Sequence, residues 1–451
     1  MSIIIPANSA VGGDTSFVTN GVRFNTQSSP EYMQRNMANV GNLQAWTVSV
    51  WVKRAVISNG QHMLFASYNN ANNSTECFFE GNDTLNFRDL ESGYFLFQKK
   101  TTQKFRDPSA WYHLVMSSSD GTQKIYVNGV EVTEWDTNTN GSGTSTWNND
   151  KSHSIGANVN GSSDKAGLYM SEFTSIDGQT LTATSFGEFN GDSGVWQPKE
   201  VTDLTFGTNG FYLPFSNSGA LGEDFSGNNL DFATNNMDAT NQTTDNCQNN
   251  FATLNSIDNG YGTILFTEGN TLGEGSGSGW KPARGTIGVS SGKWYWEMNM
   301  TGSNQMGVSN ETIDMDNDNA QDLVGVTVFY NASGGIIRTD GSQVGGTTAT
   351  FASDGSDVAG YALDMDNKKL SIYKNGSIIV TNTALSTSIT DFALPFFCVN
   401  GGGTWSVNFG NPSVALDNAG VADGNGYGAF EHQPPSGYLA LCTANLSKEL
   451  S

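Results

Sequence analysis

The four cysteines, Cys77, Cys247, Cys398 and Cys442, are far apart in a chain of 451 residues and form no CxxC pair, so neither a zinc site nor a redox motif is written here. No disulfide framework is implied. Positive charge is also scarce: 21 Lys+Arg stand against 44 Asp+Glu, a formal net charge of −23. Phosphate backbones and anionic lipid surfaces are bound by clustered Lys and Arg, and none occur, which argues against nucleic acid and membrane surfaces as partners. Only four histidines exist, and no Gly-x-Ser-x-Gly elbow precedes a helix, so the common constellation of nucleophilic hydrolases is missing. Long apolar runs are missing too. The longest, Phe392 to Val399, contains Pro395 and is too short for a bilayer, while Met1 to Pro6 lacks the basic residues and length of a secretory signal. The expectation is a soluble product made in a cytoplasm, without membrane insertion.

Long helical periodicity is nearly absent, and strand signals dominate: short alternating segments rich in Val, Ile, Thr, Tyr, Phe and Trp, punctuated by Gly, Asn, Asp and Ser. In Trp46–Val52 the residues at 46, 48, 50 and 52 fall on one face and Thr47 and Ser49 on the other. Lys124–Val132 reads as a hairpin turned at Asn128–Gly129, a pair that tolerates positive φ. In the second half Trp294, Trp296, Met298 and Met300 alternate with Tyr295, Glu297 and Asn299, and Tyr361, Leu363 and Met365 alternate with Ala362, Asp364 and Asp366. Asp366–Asn367 and Asn375–Gly376 bracket a strand at Leu370–Tyr373, and Trp405, Val407 and Phe409 form another alternating set. This predicts antiparallel hairpins with one wet face, packed as β-sandwiches, and the length suits two. Between 201 and 250 the small polar residues crowd into a turn-rich connector, with Phe206, Phe211, Tyr212, Leu213 and Phe215 as anchors. The tail from 416 is Gly-containing, then carries Pro434–Leu441, which can dock on the body or on a partner.

A retaining glycosidase needs two carboxylates about 5 Å apart, often set by alternation on one strand. The nearest string is Glu131-Val-Thr-Glu134-Trp-Asp136: Glu134 and Asp136 share a face, but the glucanase pattern Glu-x-Asp-x-x-Glu wants a third acid where Thr139 stands. These read as exposed acids after a hairpin, and no catalytic residue is assigned. His113, next to Trp111 and Tyr112, reads as a packed residue rather than a base; His62, His153 and His432 lie in unrelated contexts. The string Gly273–Gly279 has no following helix or Lys-Ser/Thr pair to cradle a phosphate, so it reads as a flexible loop. Asp314, Asp316 and Asp318 alternate as calcium ligands do, yet lack the sixth-position Gly and twelfth-position Glu of an EF-hand; they are a metal candidate beside the plainer reading of a solvated acidic loop. No other cofactor is expected.

Several strings are family-like. Gly21-Val-Arg-Phe24, Trp46–Arg54, Phe105-Arg-Asp-Pro-Ser-Ala-Trp-Tyr-His113, Tyr126–Gly129, Phe173–Gly178 and Gly194-Val-Trp-Gln-Pro-Lys199 resemble laminin-G-like, concanavalin A-type sandwiches of tailed-phage virion proteins. Ser291-Gly-Lys-Trp-Tyr-Trp-Glu297, Tyr361–Asp366 and Tyr373-Lys-Asn-Gly376 resemble an SPRY-type sandwich, and Pro434-Pro-Ser-Gly-Tyr438 is similar to the segment that succeeds such a pair of domains. The resemblance spans roughly residues 20 to 445 and implies an all-β chain of two tandem antiparallel, jelly-roll-like sandwiches. It divides into a concanavalin A/laminin-G-like domain (1–200), a structured connector (201–250), an SPRY-like domain (251–415) and the tail (416–451).

What the resemblance implies of function is a non-enzymatic phage surface protein: a fibre, capsid decoration or tail-associated component on the virion, meeting a host glycan or envelope component and other virion proteins. Sugar binding would use an exposed aromatic with Asn or Asp nearby, whereas Trp46, Trp294, Trp296 and Trp405 sit at core positions. The alternatives are a polysaccharide-degrading enzyme on a glucanase-like scaffold and a purely structural virion protein without external ligand. A homo-oligomer is expected, a trimer for preference, because sandwich edges and the apolar tail can be buried between subunits. Heptads and collagen repeats are absent, so a long shaft would have to come from elsewhere.

Overall fold

The computed structural model describes residues 17–25, 29–70, 72–158, 165–201, 203–260, 262–330 and 335–449. The run Met1–Pro6 lies outside them. The described chain is all-β apart from short 3-10 turns and one seven-residue helix, Thr443–Glu449, and forms two compact units that divide between Gln248 and Asn249. Among the described residues no helix is long and apolar enough to cross a membrane.

The first unit is a sandwich of two antiparallel sheets. One sheet runs in the order Val130–Glu131, Thr122–Val127, Trp111–Ser119, Trp46–Arg54, Leu168–Asp177, Gly21–Phe24 and Gln242–Thr243, with Phe211–Leu213 on the far part of Leu168–Asp177. The other runs Trp135–Thr139, Tyr94–Lys104, Thr84–Glu91, Asn73–Phe79, His62–Asn70, Ser152–Ile155, Tyr32–Asn36 and Ala233–Asn235. The alternation read in Trp46–Val52 directs Trp46, Val48, Val50 and Val52 between the sheets, where they meet Phe65, Phe79, Phe87, Phe97 and Trp147. At about 25 cal/mol per Å² of apolar area removed from water, burying such side chains is the main force holding the sheets together.

The opposite face of the first sheet differs from the expected wet surface. Trp46–Arg54 and Leu168–Asp177 are buried at every position, because Trp51, Trp111, Tyr126 and Tyr169 lie under Phe186, Trp196, Val201 and Cys247. The segment 201–250, which reads as a connector, supplies three of the strands named above, and its Phe211, Leu213 and Phe215 belong to the first core. Strands of two or three residues give too little alternation to be seen in a sequence, but their hydrogen bonds tie the segment to the first unit.

In the second unit two long strands organise the sandwich. Lys293–Ser309 pairs through its first half with Asp354–Asp364, through its second with Val326–Tyr330, and along most of its length with Leu394–Asn408. The register shift near Thr301, with Gly302 at φ 72°, lets both long strands bend from one layer into the other. Trp294, Trp296, Met298, Met300, Tyr361, Leu363, Trp405, Val407 and Phe409 make the core, as their alternation predicts. Tyr295 and Glu297, on the face expected to be wet, are 1% and 2% exposed. The tail covers them: Leu439–Ala440 pairs in parallel with Trp294–Tyr295, and Phe430, Ala440 and Cys442 pack on Tyr295.

Candidate functional site

Ordinary sugar-binding chemistry asks for an exposed aromatic face with hydrogen-bonding amides at its rim. Of the ten tryptophans, Trp46, Trp51, Trp111, Trp147, Trp294, Trp296 and Trp405 are below 2% exposed, Trp196 is buried, and Trp135 and Trp280 are half-buried. Among the described residues the exposed aromatics are phenylalanines and a tyrosine, and two are adjacent: Tyr94 is 80% and Phe95 52% exposed.

Both stand at the start of Tyr94–Lys104, just after the tight turn Ser92–Gly93, whose φ values are 53° and 82°. That turn leans on a second one. The Gly93 amide donates to the Asn72 carbonyl (2.9 Å) and the Ser92 amide to Asn73 Oδ1 (3.1 Å), while Asn70 Oδ1 accepts from the Asn72 amide (3.0 Å) and Asn73 Nδ2 (2.9 Å). The Asn72 side chain is left exposed beside the aromatic pair. Register places Phe95 across from Leu90, Leu90 across from Ser74, and Ser74 across from Tyr68, all on the outward face of the second sheet.

The next row on that face is Ala66, Glu76, Arg88 and Gln98. Arg88 donates from Nε (2.8 Å) and Nη2 (2.6 Å) to Glu76 Oε2, and its guanidinium lies 4.8 Å from the Phe78 ring and 5.8 Å from Phe95. The cation is thereby fixed as a flat polar shelf beside Phe95. Sequence reading missed this site, because Tyr94-Phe95 looks like any half-buried strand start; the signal available was the paired turn residues Asn70–Asn73 and Ser92–Gly93.

Glu76 and Glu80 stand four residues apart with Phe78 between them, an acid pair the sequence reading did not weigh. A strand advances about 13 Å over four residues, against the roughly 5 Å of a retaining pair. Arg88 occupies the surface between them, and Glu80 accepts from Asn86 Nδ2 (2.7 Å) and Gln61 Nε2 (3.2 Å). The acids singled out from sequence fare similarly. Glu131 and Glu134 line one open groove of about 520 Å³. Glu131 is exposed and accepts from Lys124 Nζ (2.9 Å), and Asp136, outside that groove, pairs with Lys100 (3.2 Å).

His113 is buried and placed between two tryptophans. Its ring stacks on Trp51 with centroids 4.7 Å apart; Nδ1 accepts from Trp196 Nε1 (2.9 Å) and Nε2 lies 2.8 Å from Ser49 Oγ. Burial lowers its pKa to about 3. His153 is also buried, with Nε2 accepting from the Asn148 amide (3.1 Å) and Nδ1 on the Lys151 carbonyl (3.0 Å), and burial holds it at about 4. His62 falls to about 4 by burial and by the nearby Arg54. The His432 backbone amide donates to Glu297 (2.8 Å).

Asp314, Asp316 and Asp318 are exposed on one loop and do not converge. Alternation turns Ile313 and Met315 inward and the carboxylates outward; Asp314 Oδ1 accepts the Asp316 amide (3.0 Å) and Asp318 Oδ1 accepts from Asn319 Nδ2 (2.8 Å). Among the described residues no group of three or more His, Cys, Asp and Glu is placed to hold a metal ion. The glycine string is more ordered than its composition suggests. Leu272–Ser276 is a strand, and the carbonyls of Gly277, Ser278 and Gly279 accept from the buried Lys281 ammonium at 3.3, 3.0 and 3.0 Å.

No curated protein matches the chain. Three solved structures are similar to parts of it. Stonustoxin aligns at 20% identity and a TM-score of 0.29 over 35% of this chain, which spans about a quarter (27%) of that relative. The SPRY domain of human HERC1 aligns at 19% identity and 0.29, covering 34% of this chain and 96% of that one. A heptameric SAP-like pentraxin from Limulus polyphemus aligns at 15% identity and 0.28, covering 37% and 80%. Within the first sandwich, residues 27–185 match the model of the concanavalin A-like lectin/glucanases superfamily.

Proposed function

We propose that the chain is a non-enzymatic adhesion protein carried on a phage virion surface, as a fibre, decoration or tail-associated component, and that it binds a host-surface glycan through the Tyr94–Phe95 hairpin. The observation that carries this reading is the adjacent exposed aromatics Tyr94 and Phe95, with Arg88 beside Phe95 and the exposed Asn72 on the supporting turn, on a domain that matches a lectin/glucanase model. An aromatic ring packs against the C–H face of a pyranose, and neighbouring amides bond its hydroxyls. Of the acids weighed above, Glu76, Glu131 and Asp136 are spent on Arg88, Lys124 and Lys100, which favours binding over hydrolysis. The virion setting rests on the family-like strings, as do the partners proposed with it: other virion proteins and further copies of the chain, in a trimer.

The test is binding of the purified protein to cell envelopes and to a glycan array. Tyr94→Ala with Phe95→Ala is expected to weaken retention at least tenfold, about 1.4 kcal/mol, while the melting midpoint stays put. Undiminished binding by that variant would remove the hairpin from the reading, and release of reducing ends from polysaccharide would replace adhesion by hydrolysis.

A further inference from the structure

The second unit holds a cleft that the adhesion reading does not use. Its floor is three neighbouring strands on which Val358, Asn299 and Ser406 stand in register, with Glu297 one row along. The segment 412–417 and Glu431 wall it, and it encloses about 400 Å³. Among the described residues no Lys, Arg or His lines it.

Its polar groups are mostly acceptors, and several are unspent. Asn299 uses Nδ2 on the carbonyls of Gly355 (3.1 Å) and Asp357 (3.4 Å), which leaves Oδ1 over the floor. Glu297 Oε1 accepts from the His432 amide (2.8 Å) and the Tyr295 hydroxyl (3.1 Å), while Oε2 accepts one bond, from the Glu431 amide (2.7 Å). Glu431 accepts from the Asp417 amide (2.9 Å) and from Asn418 Nδ2 (2.9 Å). Ser413 is the independent sign of a missing partner: it is 5% exposed, lines the cleft, and its Oγ has no hydrogen-bond partner. A buried polar atom without a partner costs about 1–3 kcal/mol, so one that stands in the wall of a cleft is a place where a ligand donor would be stabilised.

We propose that this cleft is a binding site for a primary ammonium group, taken between Asn299 Oδ1, Ser413 Oγ and the carboxylates of Glu297 and Glu431. An ammonium has three donors and no acceptor, the complement of this lining, whereas an anion would meet three acids, Glu297, Asp417 and Glu431, and no cation. Val358 and Pro412 give the carbon stem apolar contact. Two sources carry this group, a lysine side chain and an amino sugar.

The experiment is calorimetric titration of the full chain with Nα-acetyl-lysine amide and with glucosamine, each against its uncharged counterpart, Nα-acetyl-norleucine amide and glucose. At least one amine is expected to bind saturably and at least tenfold more tightly than its counterpart, and the tighter of the two identifies the source. Ser406→Trp fills the floor, and Ser356→Lys sets a competing ammonium on the exposed rim; each is expected to weaken amine binding at least tenfold with an unchanged melting midpoint. Absence of saturable binding, equal binding of amine and counterpart, or full binding by a folded Ser356→Lys protein would overturn the proposal.

Discussion

An indole N–H offers no lone pair, so the bond from Trp196 leaves His113 one neutral form, with its proton on Nε2 facing Ser49. A histidine fixed in that form cannot take the serine proton, which is why a buried Ser–His pair here is structural. Nitrogen-detected NMR is expected to show the Nε2–H tautomer unchanged down to about pH 4, below the ordinary histidine range because of burial. Trp196→Phe removes the donor and should cost on the order of 1–2 kcal/mol in stability, with a shift of tautomer as its signature; an unchanged tautomer would refute the assignment. Sequence reading placed His113 among packed residues but had no route to Trp196, which lies 83 positions away. The aromatic pair was hidden for a similar reason. Exposure of Tyr94 depends on which turn its neighbour Asn72 makes, and no local pattern states that.

Hairpins were the most legible elements, since each rests on a few adjacent residues. Asn128 and Gly129 adopt φ values of 48° and 84°, and Asn375 and Gly376 of 47° and 75°, as those pairs allow. Gly129 is constrained twice over: a Cβ there would stand 2.4 Å from the Trp196 ring. Gly129→Ala is therefore expected to cost more than the roughly 1 kcal/mol of the positive φ alone, and chemical denaturation should show it, whereas Gly60→Ala, at φ 79° but with open space, isolates the conformational part. A larger loss at Gly60 than at Gly129 would contradict the contact. Alternation told which residues face the core, yet it could not tell what covers the other side. Trp51 among Thr47, Ser49 and Lys53 was the one hint that the outer face is also packed, because a wet face seldom spends a tryptophan.

At the scale of the whole molecule, the two units carry different sets of buried titratable groups. In the first, burial lowers His62, His113 and His153 to about 4, 3 and 4, so their contribution is complete above pH 6.5 and is lost as pH falls, when the unfolded chain takes protons that the folded unit refuses. Burial raises Asp89 and Glu172 there to about 7, and these act in the opposite sense, stabilising below the ordinary carboxyl range and losing that benefit as pH rises toward 7. Three imidazoles against two carboxyls leave a net loss on acidification from pH 6.5 to 4.5, at most about 1.4 kcal/mol per pH unit. The second unit has Glu297, which burial raises to about 7, and no fully buried histidine among its described residues, so the same acidification should stabilise it. Calorimetry at pH 6.5, 5.5 and 4.5 is expected to show two transitions moving in opposite directions; parallel movement would refute this division. All-β architecture in two sandwiches was readable from periodicity and length, while the covering of each outer face, made by segments distant in the chain, was not.

The docking of Leu439–Ala440 against Trp294–Tyr295 has a consequence during translation. A ribosome adding about 5–20 residues per second emits the strand Lys293–Ser309 well before the segment that roofs it. For roughly 7–30 s at that pace the nascent sandwich shows bare aromatic surface around Tyr295 to solvent, a window in which chaperones, or neighbouring copies on the same message, reach it first.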